Sequence, residues 1–392
     1  MASENNEEIV RYLRDNAVLR DALGLSADAC LAVEPLGKGE HNENYVFCEE
    51  GTAQRFVLRV NRVSQPFHTK QVAYEYAALR ALEQSGCTPR PLYCDASAAA
   101  PGNGVLVESF CPGSELDFDD LKPGDLQKVA RLMASVHAVP TNESCGLYRP
   151  DDPLKQLFSE CVDRFSVYKD TALEDARFTR WIERFFAETQ KKIEASPDPD
   201  ENRRIINTET LPSHFLLLHD DGEGKDAAVW GAPAEPAAAA NSGAAQPSAD
   251  AISSGRAATA GAGALAPTPS DSSGTFVDWE RPILGEVAQD LAFFVAPSTT
   301  FWDSAYLFPH KDIQPFLDEY WRAVDGRFEK GAFEARFDAY LAVSVLRSQT
   351  WFCKNAARYA QGAGAHTVQR TFDKWDIYTS DEFNEMLLRE CF

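Results

Sequence analysis

Between residues 30 and 61 the apolar side chains come in three short runs, 31–36, 44–48 and 55–60, separated by turn residues. Soon afterwards comes a run of good helix formers, and this change constrains the fold more than any other feature of the chain. The turn Glu49-Glu50-Gly51-Thr52 between the last two runs has hairpin chemistry, so the runs predict antiparallel strands. Residues 70–84 are good helix formers and stop at Gly86, a residue suited to the left-handed turn that closes a helix. Val105-Leu106-Val107-Glu108-Ser109-Phe110 predicts a further strand, ended by Pro112-Gly113. A β-β-β-α-β order suits a small antiparallel sheet with one helix packed on it. Ahead of it, Ile9, Leu13, Val18, Leu19 and Leu23 recur at helical spacing and predict a leading helix or helix pair over 5–26.

After residue 113 the character changes. Helical segments are predicted at 122–141, 153–167, 173–195, 313–325, 331–361 and 381–391, with only short strand segments between them. A chain of 392 residues is long enough for two domains or lobes, here 1–112 and 113–392. Residues 231–273 are dominated by Ala, Gly, Ser and Pro, and bury too little apolar surface to offset the ordering of the chain. They predict a disordered insertion in the second lobe.

The formal charge of −22, from 38 basic and 60 acidic residues, argues against a general nucleic-acid or anionic-membrane binder. A cationic small-molecule substrate suits such a field, as does a surface that is acidic for solubility alone. The acidic N-terminus, Met1-Ala2-Ser3-Glu4-Asn5-Asn6-Glu7-Glu8, has no apolar core of a signal peptide, and no run reaches the roughly 20 apolar residues a membrane helix needs. Nine scattered cysteines without a C-x-x-C pair fit reduced thiols better than disulfides or a zinc site. Together these predict a cytoplasmic protein, and they leave its oligomeric state open.

Three stretches carry chemistry. Gly37-Lys38-Gly39-Glu40-His41-Asn42-Glu43-Asn44-Tyr45-Val46-Phe47 lies between two strand runs and is rich in the Gly and Asn that let backbone N–H groups face phosphate oxygens. An ordinary hairpin has the same composition, and no helix opens there as in a P-loop. Arg59 on the third strand and Glu75 in the following helix can form an ion pair that presents a cation to phosphates. Further on come Asn207-Thr208-Glu209-Thr210-Leu211-Pro212-Ser213-His214-Phe215-Leu216-Leu217 and, after the insertion, Val277-Asp278-Trp279-Glu280, then Gly285 and Asp290-Leu291-Ala292.

In this order the stretches resemble the aminoglycoside phosphotransferase/choline kinase family, small-molecule kinases built on the protein-kinase fold. The resemblance covers roughly residues 30–300. It implies an α+β, two-lobed protein-kinase-like fold, with a small β-rich N-terminal lobe and a larger, mainly helical C-terminal lobe. It implies ATP and Mg2+ as cofactors, with nucleotide held by Gly37, Gly39, Asn42, Asn44, Arg59 and Glu75. The hinge that would meet adenine falls on Ser109 (C=O) and Cys111 (N–H), and the metal on Asp278. Asp290 would orient the catalytic loop by accepting backbone hydrogen bonds, and His137, in an L-H-x-x-P-like element, would be structural.

The catalytic loop departs from the family form H-G-D-x-x-x-x-N at every diagnostic position: Asn207, Thr208, Glu209 and His214 stand there. Glu209 keeps a carboxylate, one methylene longer, able to accept a hydroxyl proton or to fix the nucleophile. His214 replaces a hard oxygen ligand; as a metal ligand it favours Mn2+ over Mg2+, and as an ordinary polar turn residue it needs no metal. A literal His219-Asp220-Asp221 follows, but it reads as a solvated turn leading into the insertion. The resulting expectation is an ATP-dependent phosphotransferase acting on a hydroxyl of a small molecule, cationic if the family's substrates are a guide. The alternative is a catalytically degenerate kinase-like protein that binds nucleotide or acts as a scaffold. No activation-loop pattern of a protein kinase follows Asp278.

Overall fold

The computed structural model describes residues 2–26, 28–38, 41–64, 70–141, 145–199, 201–219, 258–259, 273–361 and 373–392. Contacts divide the chain into two compact units. The first comprises 1–114, 142–147 and 216–280, and the second 115–141, 148–215 and 281–392.

The first unit opens with two helices, α1 (Ala2–Asp15) and α2 (Ala17–Leu23), followed by strands β1 (Leu31–Lys38), β2 (Asn42–Glu49) and β3 (Arg55–Asn61). Helix α3 (Gln71–Leu82) continues as a 3-10 turn to Ser85 and closes on Gly86, whose φ of 67° is left-handed as the sequence predicts. Two more strands, β4 (Pro91–Asp95) and β5 (Val105–Ser109), complete an antiparallel sheet in the order β1-β2-β3-β5-β4. Strand β4 goes unpredicted: it is five residues long and begins at a proline. Ala258–Thr259 pairs with β4; with Ser273 these are the described residues of the 231–273 segment, the rest of which lies outside the described residues.

Strand alternation decides which side chains share a face. Phe56, Leu58 and Val60 of β3 join Tyr45 and Phe47 of β2 and Val105 and Val107 of β5 in one apolar cluster. Ile9, Leu13, Leu19 and Leu23 of the two leading helices complete that cluster, so the helices cover this face. Arg59 alternates with these residues and belongs to the opposite face, the one that meets α3. The strand ends the sequence marks with Pro112-Gly113 do require glycine: Gly113 has φ 131°, and a Cβ there would lie 3.0 Å from the Leu217 carbonyl oxygen.

The second unit is mainly helical. Its principal helices are α4 (Asp125–His137), α5 (Pro153–Ser166), α6 (Ala176–Ala195), α7 (Val287–Val295), α8 (Pro297–Asp303), α9 (His310–Val324), α10 (Phe333–Ala360) and α11 (Asp381–Cys391). Helix α10 has 28 residues, about 42 Å at 1.5 Å per residue, and packs against α5, α6, α7, α8 and α11. Two short strands, β6 (Arg204–Ile206) and β7 (Ile283–Gly285), pair antiparallel and bring together the segments that precede Asn207 and Asp290. The apolar residues after the loop form the short strand Phe215–Leu217. Helices α7 and α8 also go unpredicted; every residue of α7 is buried, so it shows no polar face and no period.

All nine cysteines are free. Among the described residues no helix is long and apolar enough to cross a membrane. Because Ile9 is fully buried in the sheet cluster, Ile9→Ala should destabilise the first unit by about 2–5 kcal/mol. Hydrogen exchange should locate the loss in β2 and β3; unchanged exchange there would show that the leading helices are ornamental.

Candidate functional site

In the second unit the loop after β6 is held from one point. The carboxylate of Asp290, on α7 and fully buried, accepts the backbone N–H of Asn207 (2.7 Å) and of Thr208 (2.7 Å). It also meets His137 Nε2 at 3.3 Å, while His137 Nδ1 lies 2.9 Å from the Tyr320 hydroxyl. A carboxylate only accepts, so Nε2 carries the proton and Nδ1 accepts from Tyr320. Burial first, and then Asp290, hold the Tyr320 hydroxyl well above its ordinary range, so it remains a donor. The Thr210 hydroxyl donates to the Asp290 carbonyl at 2.8 Å. The sequence readings of Asp290 as the residue that orients the loop and of His137 as structural both describe this arrangement.

Thr208 has φ 74°, a left-handed conformation that a β-branched residue adopts only under constraint. The constraint is visible. Its N–H is tied to Asp290, its hydroxyl donates to the Arg281 carbonyl at 3.1 Å, and its own carbonyl accepts from Arg347. The turn sets Glu209 beside Arg347 of α10, whose guanidinium donates to Oε1, and Arg281 approaches the same oxygen at 3.6 Å. Burial raises the Glu209 carboxyl, but Arg347, Arg281, Arg164 and His214 outweigh it and leave the carboxyl below its ordinary value. Glu209 is therefore an ionised carboxylate with a third of its side chain (37%) open to solvent. His214 ends the 3-10 turn Pro212–His214 and is buried.

The first unit gathers the other expected residues on the α3 face of the sheet. Arg59 donates to Asp278 Oδ1 at 2.7 Å, lies 3.3 Å from Glu280 and stands 3.7 Å from Glu75. Burial pulls the Arg59 guanidinium down, but Asp278, Glu75, Glu108 and Glu280 together hold it well above its ordinary value. Glu75 is pushed up to about 7 by burial, against the pull of Arg59. The geometry accounts for this: the short hydrogen bond of Arg59 goes to Asp278, and Glu75 is the more distant partner. Gln71 Nε2 donates to Glu75 at 3.0 Å and also to the Glu280 carbonyl. Asp278, with φ 62°, is the second non-glycine residue of the expected motifs in the left-handed region.

Gly37 lies within β1 beside a bulge and pairs with Asn44, so it is a strand residue; Gly39 lies outside the described residues. Asn42 donates to Glu280 and accepts from Asn61 (3.0 Å), and Asn44 pairs across the sheet with Arg59. Asn44 Oδ1 and Arg59 Nε are buried with no hydrogen-bond partner among the described residues. At the end of β5, the Ser109 hydroxyl accepts from the Arg90 N–H (2.9 Å) and its carbonyl accepts from the Cys111 thiol (3.7 Å). Asp220 and Asp221 lie outside the described residues.

No set of three or more His, Cys, Asp or Glu among the described residues forms a metal cage. Mg2+ in phosphoryl-transfer sites is usually held by one or two carboxylates, waters and the phosphates themselves, so the lone carboxylate of Asp278 fits such an ion only when phosphate supplies further oxygens. Asp278 belongs to the first unit and His214 to the second. Sequence reasoning missed Arg281 and Arg347 at the loop and Glu108 and Glu280 around Arg59. One signal existed for Arg347: it is a charged residue directly after the apolar run from Tyr340 to Leu346.

Two outcomes follow. Asp290→Ala strands two backbone donors and His137 in the core and should cost about 3–5 kcal/mol, read as a fall in Tm. For Glu75, the folded state binds more protons than the unfolded state between the ordinary carboxylate range and about 7, so its contribution to stability falls as pH rises through that window. Glu75→Gln should accordingly gain in Tm relative to the parent on going from pH 5 to pH 8; an equal difference at both would remove the buried, uncharged Glu75.

The model of the family described as the phosphotransferase enzyme family matches residues 32–225. No curated protein matches the sequence. Among solved structures, a Ralstonia eutropha protein provisionally assigned as an aminoglycoside phosphotransferase is similar at TM-score 0.60 and 12% identity, with 99% of each chain covered. A spectinomycin phosphotransferase, solved with ADP and spectinomycin, is similar at 0.58 and 10%, with 97% of each covered. The Plasmodium vivax ethanolamine kinase is similar at 0.55 and 13%, covering 96% of this chain and 88% of its own. The fold is thus the protein-kinase-like α+β fold, with a small β-rich unit and a larger helical one.

Proposed function

We propose that this chain, whose residues 32–225 belong to the phosphotransferase enzyme family, transfers a phosphoryl group from ATP to a hydroxyl of a small molecule. The observation that carries this reading is the Asp290 clamp, which holds Thr208 in a strained left-handed turn and presents Glu209 from it. Strain of this kind costs of order 1–3 kcal/mol and persists at sites where geometry serves chemistry. The related phosphotransferase solved with both ADP and spectinomycin supports the pairing of nucleotide and small-molecule acceptor.

In this reading residues 1–112 form the nucleotide-binding lobe and 113–392 the catalytic and substrate lobe. The turn with Gly37, Gly39, Asn42 and Asn44 faces the phosphates, and Arg59, oriented by Glu75, grips them. The buried, unpartnered Arg59 Nε–H is a donor suited to such a ligand. Ser109 and Cys111 offer backbone groups to the base. Asp278, with His214 as a second candidate, would hold Mg2+ or Mn2+, and the ion would neutralise phosphate charge. Glu209 serves better to position the acceptor hydroxyl than to take its proton, because the arginines that keep it ionised also make it a weak base. A loose phosphoryl-transfer transition state asks little of a base, so positioning suffices.

A second reading has its own support. Arg59 is hydrogen-bonded to Asp278 and Arg347 to Glu209, so both functional carboxylates are engaged by cations, as in a kinase-like protein that binds nucleotide without turnover.

Calorimetric titration with ATP, alone and with Mg2+ or Mn2+, separates these readings. Metal-dependent binding that Arg59→Ala weakens at least about tenfold is expected for a working phosphate site. Metal-independent binding without ATP consumption would favour the non-catalytic reading, and no binding under any condition would sink both. In turnover, Glu209→Gln should lower kcat by about 10²-fold or more with little change in ATP affinity; full activity of this variant would move catalysis elsewhere.

A further inference from the structure

The surroundings of Glu209 hold more positive charge than one carboxylate needs. Arg347 meets its hydrogen-bonding requirement. Arg281 lies 3.6 Å from Glu209 and 3.6 Å from Glu160, and Arg164 lies 3.7 Å from Glu160. Three guanidinium groups thus face two carboxylates. Among the described residues the Arg164 and Arg281 guanidinium groups donate no hydrogen bond, their ion pairs being longer than the roughly 2.7–2.9 Å of a charge-assisted one. Yet they are not loose surface residues: their side chains are 12% and 22% exposed. Each guanidinium carries five N–H donors in a fixed fork that matches planar or tetrahedral oxyanions. Arg164 is further steadied over the Trp351 ring at 5.8 Å, and Arg347 over Phe293 at 4.8 Å.

Holding cations this close is costly. Burial lowers the Arg347 guanidinium, and Arg164 and Arg281 lower it further, against the pull of Glu209. An acidic chain with 60 carboxylates for 38 basic side chains has concentrated arginine beside the one loop expected to meet the acceptor. The overall negative field does not cancel this, because at physiological ionic strength charges beyond about 8 Å are screened.

We infer that Arg164, Arg281 and Arg347 form an oxyanion subsite beside Glu209, so that the small molecule bound there carries a carboxylate or phosphate in addition to its hydroxyl. This rests on the phosphotransferase reading for the word acceptor, but the subsite itself does not. It reverses the expectation of a cationic substrate drawn from the net charge.

The test is calorimetry on the full chain without nucleotide, using inorganic phosphate, glycerol 3-phosphate and glycerate as probes, with glycerol and choline as the uncharged and cationic comparators. Saturable binding of at least one anion is expected, weakening as salt rises and falling about tenfold or more in Arg281→Gln and in Arg164→Gln. Phosphate and glycerol 3-phosphate binding in preference to glycerate would identify a phosphate-bearing ligand, the reverse a carboxylate. Neither substituted guanidinium donates a hydrogen bond within the described residues, and the bond from Thr208 to Arg281 uses the backbone carbonyl, so both variants should keep the parent's Tm and its ATP titration. Binding of choline but no anion, or anion binding indifferent to both substitutions, would overturn the inference while leaving phosphotransfer standing. Anion binding with no ATP binding would do the opposite.

Discussion

The loop geometry of the second unit hangs on one buried carboxylate. Asp290 sits on a helix without a polar face, and its carboxylate is met by two backbone N–H groups, 2.7 Å each, and the His137 imidazole. A buried charge with partners on only one side would be expensive; here donors come from the loop, and His137 is fixed in turn by Tyr320. The consequence is directional. Because Asp290 accepts consecutive N–H groups, the backbone at Asn207–Thr208 must turn toward it, and Thr208 is driven to φ 74°. In the family form H-G-D a glycine occupies the position of Thr208 and meets that demand without strain. The threonine recovers part of the cost through its hydroxyl bond to Arg281. The loop conformation is thus kept although its diagnostic side chains have changed.

In the first unit the governing constraint is an imbalance of charge. One guanidinium, Arg59, answers Asp278, Glu280, Glu75 and Glu108, and a single cation cannot pair four carboxylates well. The structure resolves this by ranking them. Asp278 takes the short hydrogen bond, Glu280 shares its carboxylate with Asn42, and Glu75 leans on Gln71. Burial pushes Glu75 and Glu108 upward, Glu75 to about 7, so near neutral pH part of the surplus negative charge is removed at Glu75. A lysine would present a point charge to one partner; the planar fork of arginine reaches several at once.

Much of the first unit was legible because short strand-type runs are punctuated by turn residues and a run of good helix formers ends at Gly86. The same alternation that marks β3 as a strand puts Arg59 opposite Leu58, on the face where Glu75 is found. Elements without a visible period were lost: β4 is too short and starts at Pro91, and α7 is buried on all sides. The site was legible as a list of motifs but not as a set of pairings. Arg347 and Glu209 lie 138 residues apart and Arg59 and Asp278 219 apart, so nothing local announces that either carboxylate has an arginine partner. An arginine directly after the apolar run of α10 was the available clue, since a long helix with five packed neighbours buries a guanidinium only against a partner.

The arginines at the loop also change what the Asp-to-Glu difference at position 209 means. A glutamate extends its carboxylate one methylene further than an aspartate, which by itself would misplace it for a hydroxyl by more than catalysis tolerates. Arg347 donates at once to the Thr208 carbonyl and to Glu209, so the longer side chain is tied back to the turn that bears it. The extra length is taken up by an ion pair instead of being left as freedom. That tie lowers the basicity of the carboxylate while fixing its place, and phosphoryl transfer depends far more on placement and on neutralised charge than on a strong base. Under the proposed phosphotransfer the altered loop carries a repositioned carboxylate, and the cations that anchor it are those of the proposed oxyanion subsite.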